Sequence, residues 1–218
     1  MKKIIIAITV YLFAVTSAIS AEITTSIGIS GNAAVYAATG TEKNYDELGA
    51  TVVTTTKEYG AFTAEYASIF VEIGNEIISL GVDYVPGNIE SPQNISNENQ
   101  SNQNKVSADF DKFTTIYAKL NIPQLGGTYL KVGYSKVDII VNETMNSGST
   151  YKDTDTSGMN YGIGYAHDLG ESGISLRAEL SYSDFDDVSA SNNATNKNTI
   201  DITDMIGARG TISIVKSF

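Results

Sequence analysis

The sequence has no cysteine and no tryptophan, three prolines and one histidine in 218 residues. Without cysteine there is no disulfide framework and no thiolate zinc site, so the fold must be held by its own hydrogen bonds and packing. The single histidine, His167, stands before Asp168 and close to a short turn. A hydrolase or acyltransferase needs a nucleophile, a base and an orienting acid within hydrogen-bond reach, so a lone turn histidine is read as a structural residue and the chain as non-enzymatic. Basic residues are scarce, 14 against 25 acidic ones, for a net charge of −11. That excludes nucleic acid, whose phosphates need a basic surface. No phosphate loop or metal-ligand spacing is present, and no cofactor or metal is expected. Nowhere is there a run of about 18 apolar residues, which excludes a membrane-spanning helix.

What the chain does have begins with a basic start, Met1-Lys2-Lys3, an apolar stretch over 4–15 and small residues through Ala21. This reads as a secretory signal peptide over 1–21 with cleavage after Ala21, leaving 22–218 as one domain. Within that domain the dominant period is two. In the segment 174–182, Ile174, Leu176, Ala178, Leu180 and Tyr182 take one face, and Ser175, Arg177, Glu179 and Ser181 take the other. Such alternation is a strand with one apolar and one polar face. Eight segments read this way, at about 23–38, 61–73, 77–86, 106–122, 128–142, 158–168, 173–187 and 200–218. Short connections at 74–76, 123–127 and 169–172 alternate with long ones at about 39–60, 87–105, 143–157 and 188–199. Val52 to Tyr66 reads equally as a short helix or a longer strand. The stretch 91–104, rich in Asn, Gln and Ser, has little to bury and is expected to be mobile.

The chain closes on Ile212, Ile214 and the terminal Phe218, alternate apolar positions ending in an aromatic, with Lys216 between them. Together with Gly133-Tyr134 and Gly164-Tyr165, this resembles the small eight-stranded outer-membrane β-barrels, the family of the OmpA membrane domain, OmpX and the opacity proteins. The resemblance covers all of 22–218. It implies an all-β, eight-stranded antiparallel transmembrane barrel with short periplasmic turns and long extracellular loops, located in the bacterial outer membrane. It further implies that Ile212, Ile214 and Phe218 form an assembly signal. The partners implied are outer-membrane lipid and lipopolysaccharide, periplasmic chaperones and the barrel-assembly machinery; no surface ligand is indicated.

The same parity turns Glu72, Asp83, Lys119, Lys131, Arg177, Glu179 and Arg209 into the lumen, three acids and four bases. Charge on the lipid face costs roughly 2–4 kcal/mol at the bilayer midplane, whereas lumen charges need partners. A ladder of paired charges would plug the barrel. Lys136 and Asp138 break the parity and are placed at the outer rim; Tyr134, Tyr161, Tyr165 and Tyr182 read as interfacial anchors. The expected function is structural or surface-interacting (envelope integrity, adhesion or reception), and the alternative is a narrow porin-like channel. An eight-stranded interior is only wide enough for side chains, which favours the first.

Overall fold

The computed structural model describes residues 22–46, 51–96, 104–144, 150–193 and 198–218. The expected signal peptide, 1–21, lies outside them. The strands are β1 (Thr24–Tyr45), β2 (Val52–Gly74), β3 (Ile78–Tyr84), β4 (Ile89–Glu90), β5 (Asn94–Ser96), β6 (Asn104–Asn121), β7 (Thr128–Thr144), β8 (Thr154–Asp168), β9 (Ile174–Phe185), β10 (Val188–Ser191) and β11 (Asn198–Ser217). They make one antiparallel ring of eight staves, in which β3, β4 and β5 share the third stave and β11 pairs back on β1. Phe218 completes the closure: its N–H donates to Thr25 O at 2.9 Å.

The stagger follows from the registers. From Glu65, partners run through Ala33, Gly210, Leu180, Ile163, Leu130 and Leu120 to Ile78. Continuing the β2–β3 register, in which Ser79 faces Gly74, places Ile78 beside Asn75, ten residues from the start. Eight strands with that stagger are strongly tilted and enclose a lumen that side chains fill.

Three tight connections lie at one end. In the first, Asn75 Oδ1 accepts the N–H groups of Ile77 and Ile78, both at 2.9 Å, and so substitutes for a backbone turn. The second is a 3-10 turn, Pro123–Leu125, closed by Gly126 and Gly127 at φ 55° and 99°. Both conformations favour glycine.

The outer face carries Ile27, Ile29, Ile69, Val71, Leu80, Ile116, Ile163, Leu180 and Ile212, all exposed. The inner face carries serines, threonines and charges, many of them buried. An apolar exterior around a polar interior suits hydrocarbon and not water.

The long connections are shorter than the sequence suggests. The expected loop at 39–60 is largely strand, with β1 running to Tyr45 and β2 starting at Val52. This also settles Val52 to Tyr66 as strand. The ends of 143–157 and 188–199 are likewise taken up by β7, β8, β10 and β11. Within 91–104, Asn94–Ser96 pairs with β6, and 97–103 lie outside the described residues. The reason is local: 52–56 is Val-Val-Thr-Thr-Thr, strongly β-forming, but with no apolar alternation because neither face meets lipid.

Three register shifts lie at the long-loop end; one, in β1–β2 between Asn44 and Tyr45, is at the tip, and the other two carry left-handed residues. The β6–β7 register shifts between Asp111 and Thr114, and the β1–β11 register between Ala37 and Thr39. Lys112 and Asp204 sit at these bulges with φ 52° and 53°. Side chains fix the first bulge: Asp111 Oδ1 accepts Lys112 N–H at 2.8 Å, Thr114 Oγ1 donates to Lys112 O at 2.9 Å, and Lys112 Nζ reaches Asp138 Oδ2 at 2.9 Å. Below the bulge, Phe113, Thr115, Tyr117 and Lys119 are buried. Above it, Phe110 pairs with the buried Ile139, so the inward parity changes from odd to even.

At the tip of the long-loop end, Lys43 Nζ donates to Asp201 Oδ2 at 2.7 Å and Ser189 Oγ donates to Asp201 Oδ1 at 2.6 Å. The hydrogen bond from Lys43, then the one from Ser189, holds the Asp201 carboxyl below the usual value. A depressed carboxylate contributes stability above its unfolded pKa and loses it as pH falls through the folded value. The side-chain carboxyl 13C signal of Asp201 is therefore expected to titrate below about 3.9, and to move up in Lys43→Ala. A midpoint at or above 3.9 in the native chain would contradict the pairing.

Candidate functional site

The lumen holds two interlocked ion clusters. Glu72 projects from β2 and receives Lys119 of β6 at 2.7 Å on Oε2. Its Oε1 receives Arg177 of β9 at 2.7 Å and the Tyr117 hydroxyl at 2.9 Å. Glu179 of β9 faces Lys131 of β7 at 2.6 Å, Arg209 of β11 at 3.9 Å and the Tyr129 hydroxyl at 3.1 Å. The clusters cross over. Lys131 Nζ lies 4.6 Å from the Tyr117 ring centroid and Lys119 Nζ 5.6 Å from that of Tyr129, so each lysine covers the tyrosine of the other cluster. Arg177 stacks over Phe70 at 5.5 Å. Every charged side chain in the two clusters is less than a tenth exposed.

Asp83 is held differently. Thr211 Oγ1 donates to Asn32 Oδ1 at 2.8 Å, Asn32 Nδ2 to Ser68 Oγ at 3.2 Å, and Ser68 Oγ to Asp83 Oδ2 at 3.2 Å. This polar relay crosses β11, β1, β2 and β3. All seven charges that parity turns inward thus lie in the lumen, six in ion pairs and Asp83 at the end of the relay. Lys136 is exposed near the long-loop end and pairs with Asp155 at 3.3 Å. His167 is exposed beside the short-turn end.

Sequence parity does not reveal the relay, nor the tyrosines that hold the two glutamates. Nor does it state how the aromatic rings fit. Four lumen rings lie directly opposite glycines of the neighbouring strand: Phe70 on Gly28, Tyr117 on Gly81, Tyr129 on Gly164 and Tyr36 on Gly207. A Cβ at any of these glycines would come within 3.0 Å of the ring. The glycines are the floor on which the rings rest. A signal was present: Gly stands on the polar parity of these strands, where a serine would otherwise fit.

Above the charges the lumen turns apolar. Along β2 the inward positions run Glu72, Phe70, Ser68, Tyr66, Ala64, Phe62. Val85, Ile89, Phe113 and Val137 form a buried cluster, with Tyr36, Phe62, Phe110 and Phe185 packed on it. Phe62 stacks on Phe110 at 5.6 Å, and Phe113 meets Phe185 edge-on at 6.1 Å. The parity change at Lys112 hides one member of this layer, Phe110, from a strict period-two reading.

A closed eight-stranded ring with an apolar outside and an ion-filled lumen defines a membrane-type barrel. No protein-family model matches the chain, and no curated relative does either. Among solved structures, the outer membrane protein OprG from Pseudomonas aeruginosa is similar over 88% of this chain and 95% of that chain, with a TM-score of 0.54 and 15% identity. Neisserial surface protein A is similar over 88% of this chain and 97% of that chain, with a TM-score of 0.42 and 10% identity. The chain has the fold of the small eight-stranded outer-membrane barrels.

Proposed function

We propose that the protein is a non-conducting barrel of the bacterial outer membrane with a structural or surface-interaction role. The observation that carries this reading is the pair of ion clusters across the lumen. Moving an ion past them requires separating buried charges from their partners, which costs several kcal/mol. In this reading 1–21 direct export, the short turns face the periplasm, and the long-loop end faces outward to lipopolysaccharide and to surface partners. No catalytic role is assigned. The purified barrel in planar bilayers is expected to show no discrete conductance steps. Reproducible single-channel steps would favour a narrow pore instead. That second reading draws on Arg177 Nε and Asn160 Oδ1, which are buried without a hydrogen-bond partner and offer sites for lumen water.

Assembly in this reading depends on the last strand, with Ile212, Ile214 and Phe218 as its signal. Lys216, between them, donates to Ser172 O at 2.6 Å and lies 5.2 Å from the Phe218 ring, so its charge is directed to the turn and away from the apolar face. Deleting Phe218 is expected to leave the chain exported but poorly inserted. Wild-type levels of the deletion variant in outer-membrane fractions would remove the assignment.

A further inference from the structure

The two ion clusters do not balance alike. Lys119 and Arg177 share Glu72, and Lys131 and Arg209 share Glu179, so each cluster has one more cation than carboxylate. Asp83 is the only other buried acid among the described residues. It lies in the field of Arg209 and Lys131 and offsets the surplus of the Glu179 cluster. Asp168, at the short-turn mouth, is exposed. The surplus of the Glu72 cluster therefore stays inside the barrel. One donor of that cluster is also unused: Arg177 Nε is buried without a hydrogen-bond partner, on a side chain that is 9% exposed. To reach Glu72 on β2 from β9, this side chain passes β11 and β1. The residue opposite it on β11 is Ser213, which in turn faces Ser30 of β1. Those two buried hydroxyls share one hydrogen bond at 2.9 Å, so one of their two O–H protons is not used in it. A guanidinium N–H and a hydroxyl O–H thus lie along one row of the inner wall, beside two cations that share a single carboxylate.

We propose that this row is a binding site for one monovalent inorganic anion, chloride in ordinary media, held by Arg177 Nε and the unused hydroxyl proton of the Ser30–Ser213 pair. An uncompensated charge in a low-dielectric interior is costly, and a counterion of equal and opposite charge offsets that cost. Water could accept the same two protons, but it would leave the surplus charge in place. One unit of surplus matches a monovalent ion. Phe70, Tyr117 and Tyr129 pack around the two clusters and favour a single atom over a polyatomic anion such as phosphate. Arg177 lies close to the start of β9 at Ile174, so the ion arrives from the short-turn end, where Ser26, Ser79 and Ser175 line the wall. The exterior offers anions little, since acidic residues outnumber basic ones 25 to 14. The site depends on the clusters and not on a closed lumen, so it goes beyond the non-conducting reading and is tested apart from conductance.

The full mature barrel, in a nonionic detergent, is titrated with sodium chloride replacing sodium gluconate at constant ionic strength, which holds general screening fixed. The 35Cl line is expected to show excess broadening that saturates and that bromide displaces. Lys119→Met touches neither donor but cancels the surplus charge, and is expected to weaken chloride binding at least tenfold. Ser30→Ala with Ser213→Ala removes the hydroxyl donor and keeps every charge, and is expected to weaken it at least threefold. Urea unfolding supplies the linked measurement. The native midpoint is expected to rise saturably as chloride replaces gluconate, because a ligand bound only by the folded state stabilises it, and Lys119→Met is expected to lose that dependence. Crystals of the native barrel grown in sodium bromide locate the ion without any variant, by an anomalous peak beside Arg177 Nε. Broadening that rises only linearly with chloride overturns the proposal, as does displaceable broadening that both variants leave intact. A bromide map with water at Arg177 Nε and peaks on the surface alone, an adventitious ion only, overturns it equally.

Discussion

Glu72→Ala is expected to cause the largest loss of stability of any single charge removal in this barrel. The variant deprives Lys119 and Arg177 of the carboxylate they share and leaves both cations in a lumen where their side chains are 6% and 9% exposed. Breaking one buried pair by removing one partner costs about 3–5 kcal/mol, because the remaining charge keeps its desolvation penalty. Here two cations are stranded, and the Tyr117 hydroxyl loses its acceptor as well. With a urea slope of about 1–3 kcal/mol per molar, the unfolding midpoint in detergent is expected to fall by about 2 M. The compensating experiment is informative. Glu72→Leu, Lys119→Met and Arg177→Met together remove the whole cluster, and an apolar replacement of a buried ion pair is often neutral or better. The triple variant should therefore unfold closer to the native midpoint than the single one. A Glu72→Ala barrel that unfolds at the native midpoint would mean that water, and not protein, satisfies these cations.

Gly81→Ala is the second large effect, and its cause is one methyl group. A Cβ at Gly81 would lie 2.5 Å from Tyr117 Cζ and 2.6 Å from its hydroxyl oxygen. The ring must lift, and lifting it pulls the hydroxyl away from Glu72. Overpacking costs about 1–3 kcal/mol and losing a hydrogen bond to a charged group a further 1.5–3 kcal/mol, so a loss of about 3 kcal/mol is expected. Gly31→Ala is the matched control, because nothing lies within 4 Å of a Cβ there. Tyr117→Phe isolates the hydroxyl from the ring, and Gly81→Ala with Tyr117→Leu should recover part of the loss. If urea unfolds the Gly81 and Gly31 variants alike, the rings do not depend on their glycines.

Much of the membrane-embedded half was legible because lipid outside and water-like chemistry inside impose a strict alternation. In β9, every second residue from Ser175 to Ser183 is buried, and the parity that assigns Arg177 and Glu179 to one face assigns the other five lumen charges as well. Beyond the apolar belt that pressure disappears. Residues 52–60 are exposed throughout, so no face is marked and a strand of β-branched residues reads as a loop. In the apolar layer one residue was misplaced for another reason. One inserted residue at Lys112 reverses the inward parity of β6, and a count carried upward from Lys119 gives Phe110 the wrong side. The partners of Glu72 lie 45, 47 and 105 residues away, on other staves, and only the closed ring brings them together.

The bulges at Lys112 and Asp204 also divide the molecule into two parts that obey different rules of change. Below them, a deletion of one residue in any stave would turn lipid-facing side chains into the ion clusters. Above them, the same deletion can be absorbed, since the register has already been broken and re-established there. The lower half is then a pedestal whose sequence is constrained position by position. Beyond the apolar layer, the rim is a replaceable crown, free to vary in length and composition without disturbing what holds the barrel in place.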